Sequence, residues 1–259
     1  MKFNTLEEKC KYYQSISDYK LMPNSYVLVH CDGRAFSSLI KKKFKQPFDD
    51  YFIFIMNETA RYLCENVGGC KMAYVQSDEI TLVLTDFDTE TTDSFFGYRM
   101  CKLISTIAAM ATAKFNRLWM QSQENIELSI NTLPLVTFDC KVWNVPSYND
   151  VKAWLIYRQN DCVRNSINQT ASSVFSHKEL EGLKTSERLV KLFTEKGIDW
   201  ESFDDGVKYG RFVYKQPITV INKQTLEKTE RYAWFINNSF KITDNKEKFD
   251  SFNIIPKLE

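Results

Sequence analysis

Two short acidic motifs carry the chemistry this chain could perform. Asp32-Gly33-Arg34-Ala35-Phe36 ends an apolar run that begins at Tyr26, and Gln76-Ser77-Asp78-Glu79 separates the runs Lys71–Val75 and Ile80–Leu84. The second motif therefore reads as the tip of a hairpin. Carboxylates at adjacent strand ends can share divalent cations, and two cations a few ångströms apart clamp the attacking and leaving oxygens of a phosphoryl transfer. A lone Asp-Gly is ordinarily a turn, because Gly permits positive φ and Asp caps the local backbone. The functional reading comes from both motifs falling at one sheet edge. Gly33 fits it as well, since a residue without Cβ lets the backbone approach a cation or phosphate closely.

The elements between the motifs bring them together. A helix is expected over Thr5–Ser15 and a strand up to Asp32. From Pro47 onward Phe52, Ile55, Met56, Thr59 and Leu63 recur at helical spacing until Gly68-Gly69. After the Asp78 hairpin, Phe95–Leu118 reads as one amphipathic helix, and Ile126–Val142, broken by Pro134, as a return to the sheet. The order β-α-β-β-α-β predicts an α+β, ferredoxin-like fold whose first and third strands lie side by side at the centre. Tyr148–Phe175 and Glu179–Lys196 read as helices, and Gly206–Phe240 as short strands before a charged tail. Residues 1–142 are thus expected to form the catalytic domain, and 143–259 a helical and β elaboration packed on it.

Other features narrow the function. Arg99 and Lys102 are one turn apart on the Phe95–Leu118 helix and could anchor a triphosphate; a solvated helix face is the plain alternative. Lys41-Lys42-Lys43 and Lys45 could meet nucleic-acid phosphates or simply be solvated. Arg158-Gln159 and Asp161–Asn165 form a polar stretch inside a helix, either a structural network or part of the site. The two histidines, His30 and His177, complete no hydrolase triad or zinc pattern, and no glycine-rich phosphate loop is present. Seven cysteines lack any C-x-x-C pair, which suggests a reduced, cytoplasmic setting. No stretch approaches the length of a membrane span, so no membrane association is expected. With a net charge of +1, any nucleic-acid surface must come from local clustering.

Leu21-Met22-Pro23-Asn24-Ser25, Asp32-Gly33-Arg34-x-Phe36, Tyr74-x-Gln76-Ser77-Asp78-Glu79 and Arg99-x-x-Lys102-Leu103-x-Ser105 together resemble the tRNA-His guanylyltransferase family. These are reverse polymerases that extend the 5′ end of RNA. The resemblance continues through Phe138-Asp139, Arg158-Gln159-x-Asp161 and Tyr209-Gly210. It implies a polymerase- and cyclase-type palm, two Mg²⁺ ions, ATP or GTP as activating and incoming nucleotide, tRNA as partner, and a homotetramer. By position it assigns metal binding to Asp32, the Gly33 carbonyl and Asp78. Nucleotide contacts fall to Asp32, Gly33, Arg34, Ala35, Phe36, Ser37 and Ser77; Glu79 is read as a supporting catalytic carboxylate, with Arg99 and Lys102 on the triphosphate.

The chain departs from the family at three points. Where eukaryotic guanylyltransferases carry His-Ile-Asn-Asn-Leu-Tyr-Asn, it reads Val163-Arg164-Asn165-Ser166-Ile167-Asn168-Gln169. Gln46 replaces a lysine before Pro47, and His30 stands where an arginine is common. Loss of that His and Tyr resembles the guanylyltransferase-like branch, whose members are similar to polymerases repairing 5′-truncated tRNA against a template. The expectation is a Mg²⁺-dependent 3′-5′ nucleotidyltransferase of that kind. Addition of G to intact tRNA-His, a palm-type nucleotidyl cyclase and a catalytically silent RNA-binding protein are the rivals.

Overall fold

A computed structural model describes residues 2–121, 133–221, 228–244 and 246–258. Its first half contains α1 (Leu6–Ser15), β1 (Tyr26–Gly33), α2 (Phe36–Lys43), α3 (Asp50–Asn66), β2 (Cys70–Gln76), β3 (Glu79–Leu84), α4 (Met100–Gln121) and β4 (Phe138–Val145). The second half contains α5 (Tyr148–Val174), α6 (His177–Leu180), α7 (Thr185–Lys196), α8 (Asp205–Lys208), β5 (Arg211–Ile221), β6 (Lys228–Asn237) and α9 (Lys246–Ser251). The strands form one antiparallel sheet in the order β4-β1-β3-β2-β5-β6. β1 and β3 are neighbours, as the element order requires.

Side chains alternate across the strands, so the sheet buries both faces. Val27, Val29 and Cys31 of β1 pack with Ile55 and Leu63 of α3 and with Leu103, Ile107 and Phe115 of α4. Tyr26 and Leu28 face the other way, onto Val151 and Leu155 of α5. α5 is 27 residues long, about 40 Å at the usual rise. A strand the length of β1 spans only about 27 Å, so α5 overhangs the sheet. Its far end packs Ala171 and Phe175 on Leu180 and Leu192.

Several expected boundaries move. The helix expected from Phe95 starts at Met100, because a short 3-10 turn over Phe95–Tyr98 places Phe96, Gly97 and Tyr98 at positive φ. The helix expected over Glu179–Lys196 is two helices, separated at Gly182 with φ +75°. The return to the sheet expected from Ile126 begins outside the described residues, and its strand runs Phe138–Val145. The strands expected to be short after Gly206 are 11 and 10 residues long. Through Arg211–Tyr214 on Met72–Val75 they carry the same sheet onward.

One amide ties α5 to the segments on either side of the β5–β6 hairpin. Buried Gln159 donates from Nε2 to the carbonyls of Tyr209 and Phe240, both at 2.9 Å, and its Oε1 accepts from Ile242 N at 2.8 Å. Gln159→Leu leaves the Phe240 carbonyl and the Ile242 N–H without partners, while the Tyr209 carbonyl keeps the Tyr74 hydroxyl at 2.9 Å. The expected cost is roughly 2–5 kcal/mol, read as a lower urea midpoint with little change in slope. An unchanged midpoint contradicts this role.

Candidate active site

The site begins with strand register. Asp32 lies opposite Glu79 on β3 and opposite Asp139 on β4, so three carboxylates stand in a row across adjacent strands. Gly33 N donates to Asp78 O at 3.1 Å, which fixes the β2–β3 turn against the end of β1. Arg34 N donates to Thr137 O at 2.9 Å and draws in the start of β4. Ser77 in the turn and Ala35 after β1 both adopt left-handed backbone, with φ of 43° and 59°. Gly33 has a packing reason to lack a side chain: a Cβ there would lie 2.4 Å from the Phe36 ring.

These elements border a cavity of roughly 640 Å³, within the range that holds a small ligand. Asp32, Gly33, Ala35, Phe36, Ser37, Ser77 and Asp78 line it. Lys41 and Gln46 of the first motif's helix and loop, and Gln169, Ser172 and Ser173 from the overhang of α5, complete the wall. Ser172 and Ser173 were not visible as site residues in the sequence; small polar residues on a helix carry no signal until the helix is placed. A narrower slot with room for about one water opens beside this cavity, sharing Ile40, Ser77 and Gln169 with it.

Three expected site residues lie elsewhere. Arg34 is exposed, outside the cavity lining. Arg99 and Lys102 sit at the start of α4, whereas the helix meets the active end of the sheet at Thr112, whose Oγ1 accepts from Phe138 N opposite Gly33. That places Arg99 about 20 Å along the helix from the carboxylates. The assignment of Arg99 and Lys102 to a triphosphate at Asp32 and Asp78 is therefore corrected within a single chain. β3 runs antiparallel to β1, so whatever follows β3 starts at the far end of the sheet. Arg99 instead approaches Asp18 at 3.9 Å, and Lys102 lies over the Phe96 ring.

Glu79 is also outside the cavity lining, and it is occupied. Gln76 Nε2 donates to its Oε2 at 2.7 Å, and the buried Arg158 guanidinium pairs with it and with Asp161. The polar stretch Arg158–Asp161 is therefore a network attached to a site carboxylate. Burial pulls the Arg158 guanidinium down, but Glu79 and Asp161 hold it above its ordinary value. His30 Nδ1 sits 3.0 Å from Thr81 Oγ1 with its ring edge-on to Trp154. Burial, then Arg158, lower its pKa to about 4, so it is neutral near pH 7.

The two cavity carboxylates are short of positive charge. No Lys or Arg pairs with Asp32 or Asp78 among the described residues. Burial, then Glu79, raises the pKa of Asp32, and burial raises that of Asp78 to about 6. A divalent cation between them would relieve both effects. Among the described residues no three His, Cys, Asp or Glu side chains form a metal cage, but Mg²⁺ needs none: it keeps several waters and takes one or two carboxylates plus phosphate oxygens. The donor set fits such an ion.

Residues 7–146 match the family described as tRNAHis guanylyltransferase. A bacterial tRNA(His) guanylyltransferase-like protein in complex with ATP superposes with TM-score 0.81 and 31% identity, over 96% of this chain and 99% of its own. A bacterial tRNA(His) guanylyltransferase-like protein in complex with GTP gives 0.78 and 27%, over 97% and 99%. A probable tRNA(His) guanylyltransferase of Dictyostelium discoideum is 25% identical over 79% of this chain and 81% of its own. Fold, site and relatives together define a nucleotidyltransferase. The chain belongs to the tRNA(His) guanylyltransferase family.

Asp78 gives a pH test with a definite sign. Its folded pKa lies above that of the unfolded chain, so the stabilisation it offers is present at low pH and lost as pH rises from about 4 through about 6. In metal-free protein, Asp78→Asn should therefore be more stable than the parent at pH 8 by about 1–3 kcal/mol, with the difference vanishing near pH 4. Urea denaturation in EDTA at the two pH values measures it. Equal stability at pH 8 contradicts a crowded, desolvated carboxylate.

Proposed function

We propose that this chain is a Mg²⁺-dependent 3′-5′ nucleotidyltransferase that extends the 5′ end of tRNA, repairing 5′-truncated molecules against a template. Asp32 and Asp78, crowded together in the wall of a roughly 640 Å³ cavity and paired with no Lys or Arg among the described residues, carry this reading. On it, residues 1–142 act as a polymerase-type palm and 143–259 pack on them as an elaboration. Relatives bound to ATP and GTP support either as the incoming and activating nucleotide. A homotetramer in the reducing cytoplasm completes the proposal. All seven cysteines are free, and no described helix is long and apolar enough to cross a membrane.

Asp32, the Gly33 carbonyl and Asp78 would hold two Mg²⁺ ions. Bound there, the metals supply activation of a 3′-hydroxyl and neutralisation of charge on the departing phosphate. The chain's own residues do the positioning. Ala35, Phe36 and Ser37 offer backbone and side chain at the start of α2, and Ser77 a hydroxyl beside Asp78. Glu79 does not touch the substrate in this scheme; pinned by Arg158 and Gln76, it keeps negative charge behind Asp32 and holds the strand ends in register.

Templated repair is favoured over addition of one fixed G by the 163–169 segment. Val163 offers no hydrogen bond where the family has an imidazole. Asn168 Oδ1 already accepts from Arg188 at 2.9 Å, and Gln169 Nε2 donates to Pro47 O at 2.5 Å. With those groups engaged in the protein, pairing to a template base decides which nucleotide enters.

Asp32→Asn should reduce nucleotide addition by about three orders of magnitude or more at saturating Mg²⁺ while leaving the protein folded. A radiolabelled 5′-extension assay checks it, and near-parental turnover defeats the two-metal reading. In the same assay the parent should extend a tRNA lacking its first nucleotide with higher kcat/KM than it adds G to intact tRNA-His. The incorporated nucleotide should follow the template base. Preference for intact tRNA-His, with G entering whatever lies opposite, favours the guanylyltransferase alternative.

A further inference from the structure

A second chamber opens beside the candidate active site. Its volume is roughly 450 Å³, and it shares Lys41 and Ser172 with the 640 Å³ cavity, so the two form one continuous trench. Both helices that border the first cavity lead into it. On α2, Ser37 and Lys41 are one turn apart and line the wall together. On α5, Gln169, Ser172 and Ser173 of the first cavity are followed by Ser176 of the second, just beyond the helix end. At the helical rise, Gln169 and Ser176 are about 10 Å apart, the axial length of roughly three stacked nucleotides.

Arg188 forms part of the second chamber's wall and is held there by neutral groups. Its Nε donates to Leu183 O at 3.1 Å, its Nη1 to Asn168 Oδ1 at 2.9 Å and its Nη2 to Leu180 O at 3.2 Å. A guanidinium carries five N–H donors, so two remain. Among the described residues no carboxylate pairs with it. A fixed guanidinium with an unopposed charge and donors to spare suits a phosphate. Lys41, at the junction of the two chambers, is exposed and likewise in no ion pair among the described residues. Glu181 is the one acid in the lining.

The positive charge continues past the chamber. Lys42 and Lys43 at the end of α2, Lys178 in α6 and Lys184 before α7 are all exposed, and none forms an ion pair among the described residues. The first cavity already has the size for one small ligand such as a nucleotide. Separate cations running on from it match phosphates repeated along a strand better than one compact triphosphate.

We propose that the second chamber seats backbone phosphates of the RNA strand whose 5′ end reaches Asp32 and Asp78, with Arg188 and Lys41 as the contacts. The direction assigned to the strand rests on the nucleotidyl-transfer reading above.

Fluorescence anisotropy tests it, using a 3′-labelled tRNA that lacks its first 5′ nucleotide, over a range of salt concentrations. Nucleoside triphosphate is omitted so that no extension occurs, and circular dichroism checks that each variant is folded. Lys41→Gln and Arg188→Gln should each raise the RNA dissociation constant about tenfold and flatten its logarithmic salt dependence by roughly 0.7–0.9, the share of one phosphate. Ser172→Asp sets a negative charge at the junction and should weaken binding in the same way. The nucleotide KM at saturating RNA should change by less than about twofold. Because Lys41 has no ion partner within the chain, Lys41→Gln reads the charge even where Arg188→Gln loosens the turn between α6 and α7. Parental RNA affinity and salt dependence in Lys41→Gln and Ser172→Asp overturn the proposal. So does a raised nucleotide KM at unchanged RNA affinity, which would make the chamber a nucleotide subsite. The 5′-extension assay separates the two readings. Extension by a parent whose RNA affinity ignores these residues defeats the phosphate seat alone, and RNA held through them without extension defeats the chemistry alone. A parent that binds no RNA defeats both.

Discussion

The register of β1 on β3 is the constraint from which the rest of the site follows. Because Asp32 pairs with Glu79, the β2–β3 turn must sit beside the end of β1, and the Gly33 N–H closes on the carbonyl of Asp78. A slip of one residue would send Asp32 to the face occupied by Val29 and Cys31, into the apolar layer under α3 and α4. Apolar alternation along both strands excludes that slip. The chemistry is thus positioned by hydrophobic burial, with the carboxylates at the ends of strands whose interiors have no choice of face.

The cost of that placement is electrostatic. Three carboxylates in a row, with Asp78 desolvated, store repulsion that the protein's own cations do not offset at the cavity; Arg158 serves Glu79 and Asp161 instead. Within the row Glu79 is neutralised internally and orients the strand ends, whereas Asp32 in the row and Asp78 in the turn beside it have no Lys or Arg partner among the described residues. α5 completes the arrangement from outside the sheet: its first turns bury Val151 and Leu155, and its overhang delivers Gln169, Ser172 and Ser173 to the opposite wall of the cavity.

What the sequence revealed, and what it hid, divides along local and non-local physics. β1, α3 and the Asp78 hairpin were legible because apolar periodicity and turn residues are local signals. The start of α4 was not: Phe95 and Tyr98 continue the helical spacing, but left-handed backbone at Phe96, Gly97 and Tyr98 breaks the helix without breaking the pattern. Arg99 and Lys102 illustrate a different limit. Their shared helix face says nothing about which end of the sheet the helix begins at, and the antiparallel run of β3 puts that beginning far from Asp32. The length of β5 and β6 was hidden by Pro217 and by a mixed polar composition that reads as short strands, although the partner strand in the same hairpin supplies the pairing.

The central claim is that Asp32, the Gly33 carbonyl and Asp78 hold a pair of divalent ions. Anomalous diffraction from crystals grown with Mn²⁺ and a non-hydrolysable nucleoside triphosphate tests it most directly. The account predicts two peaks about 3.5–4 Å apart, bridged by these two carboxylates with the triphosphate oxygens completing both shells. Peaks at Asp139 or Glu79 without Asp78, or nucleotide bound with no metal between Asp32 and Asp78, would contradict it.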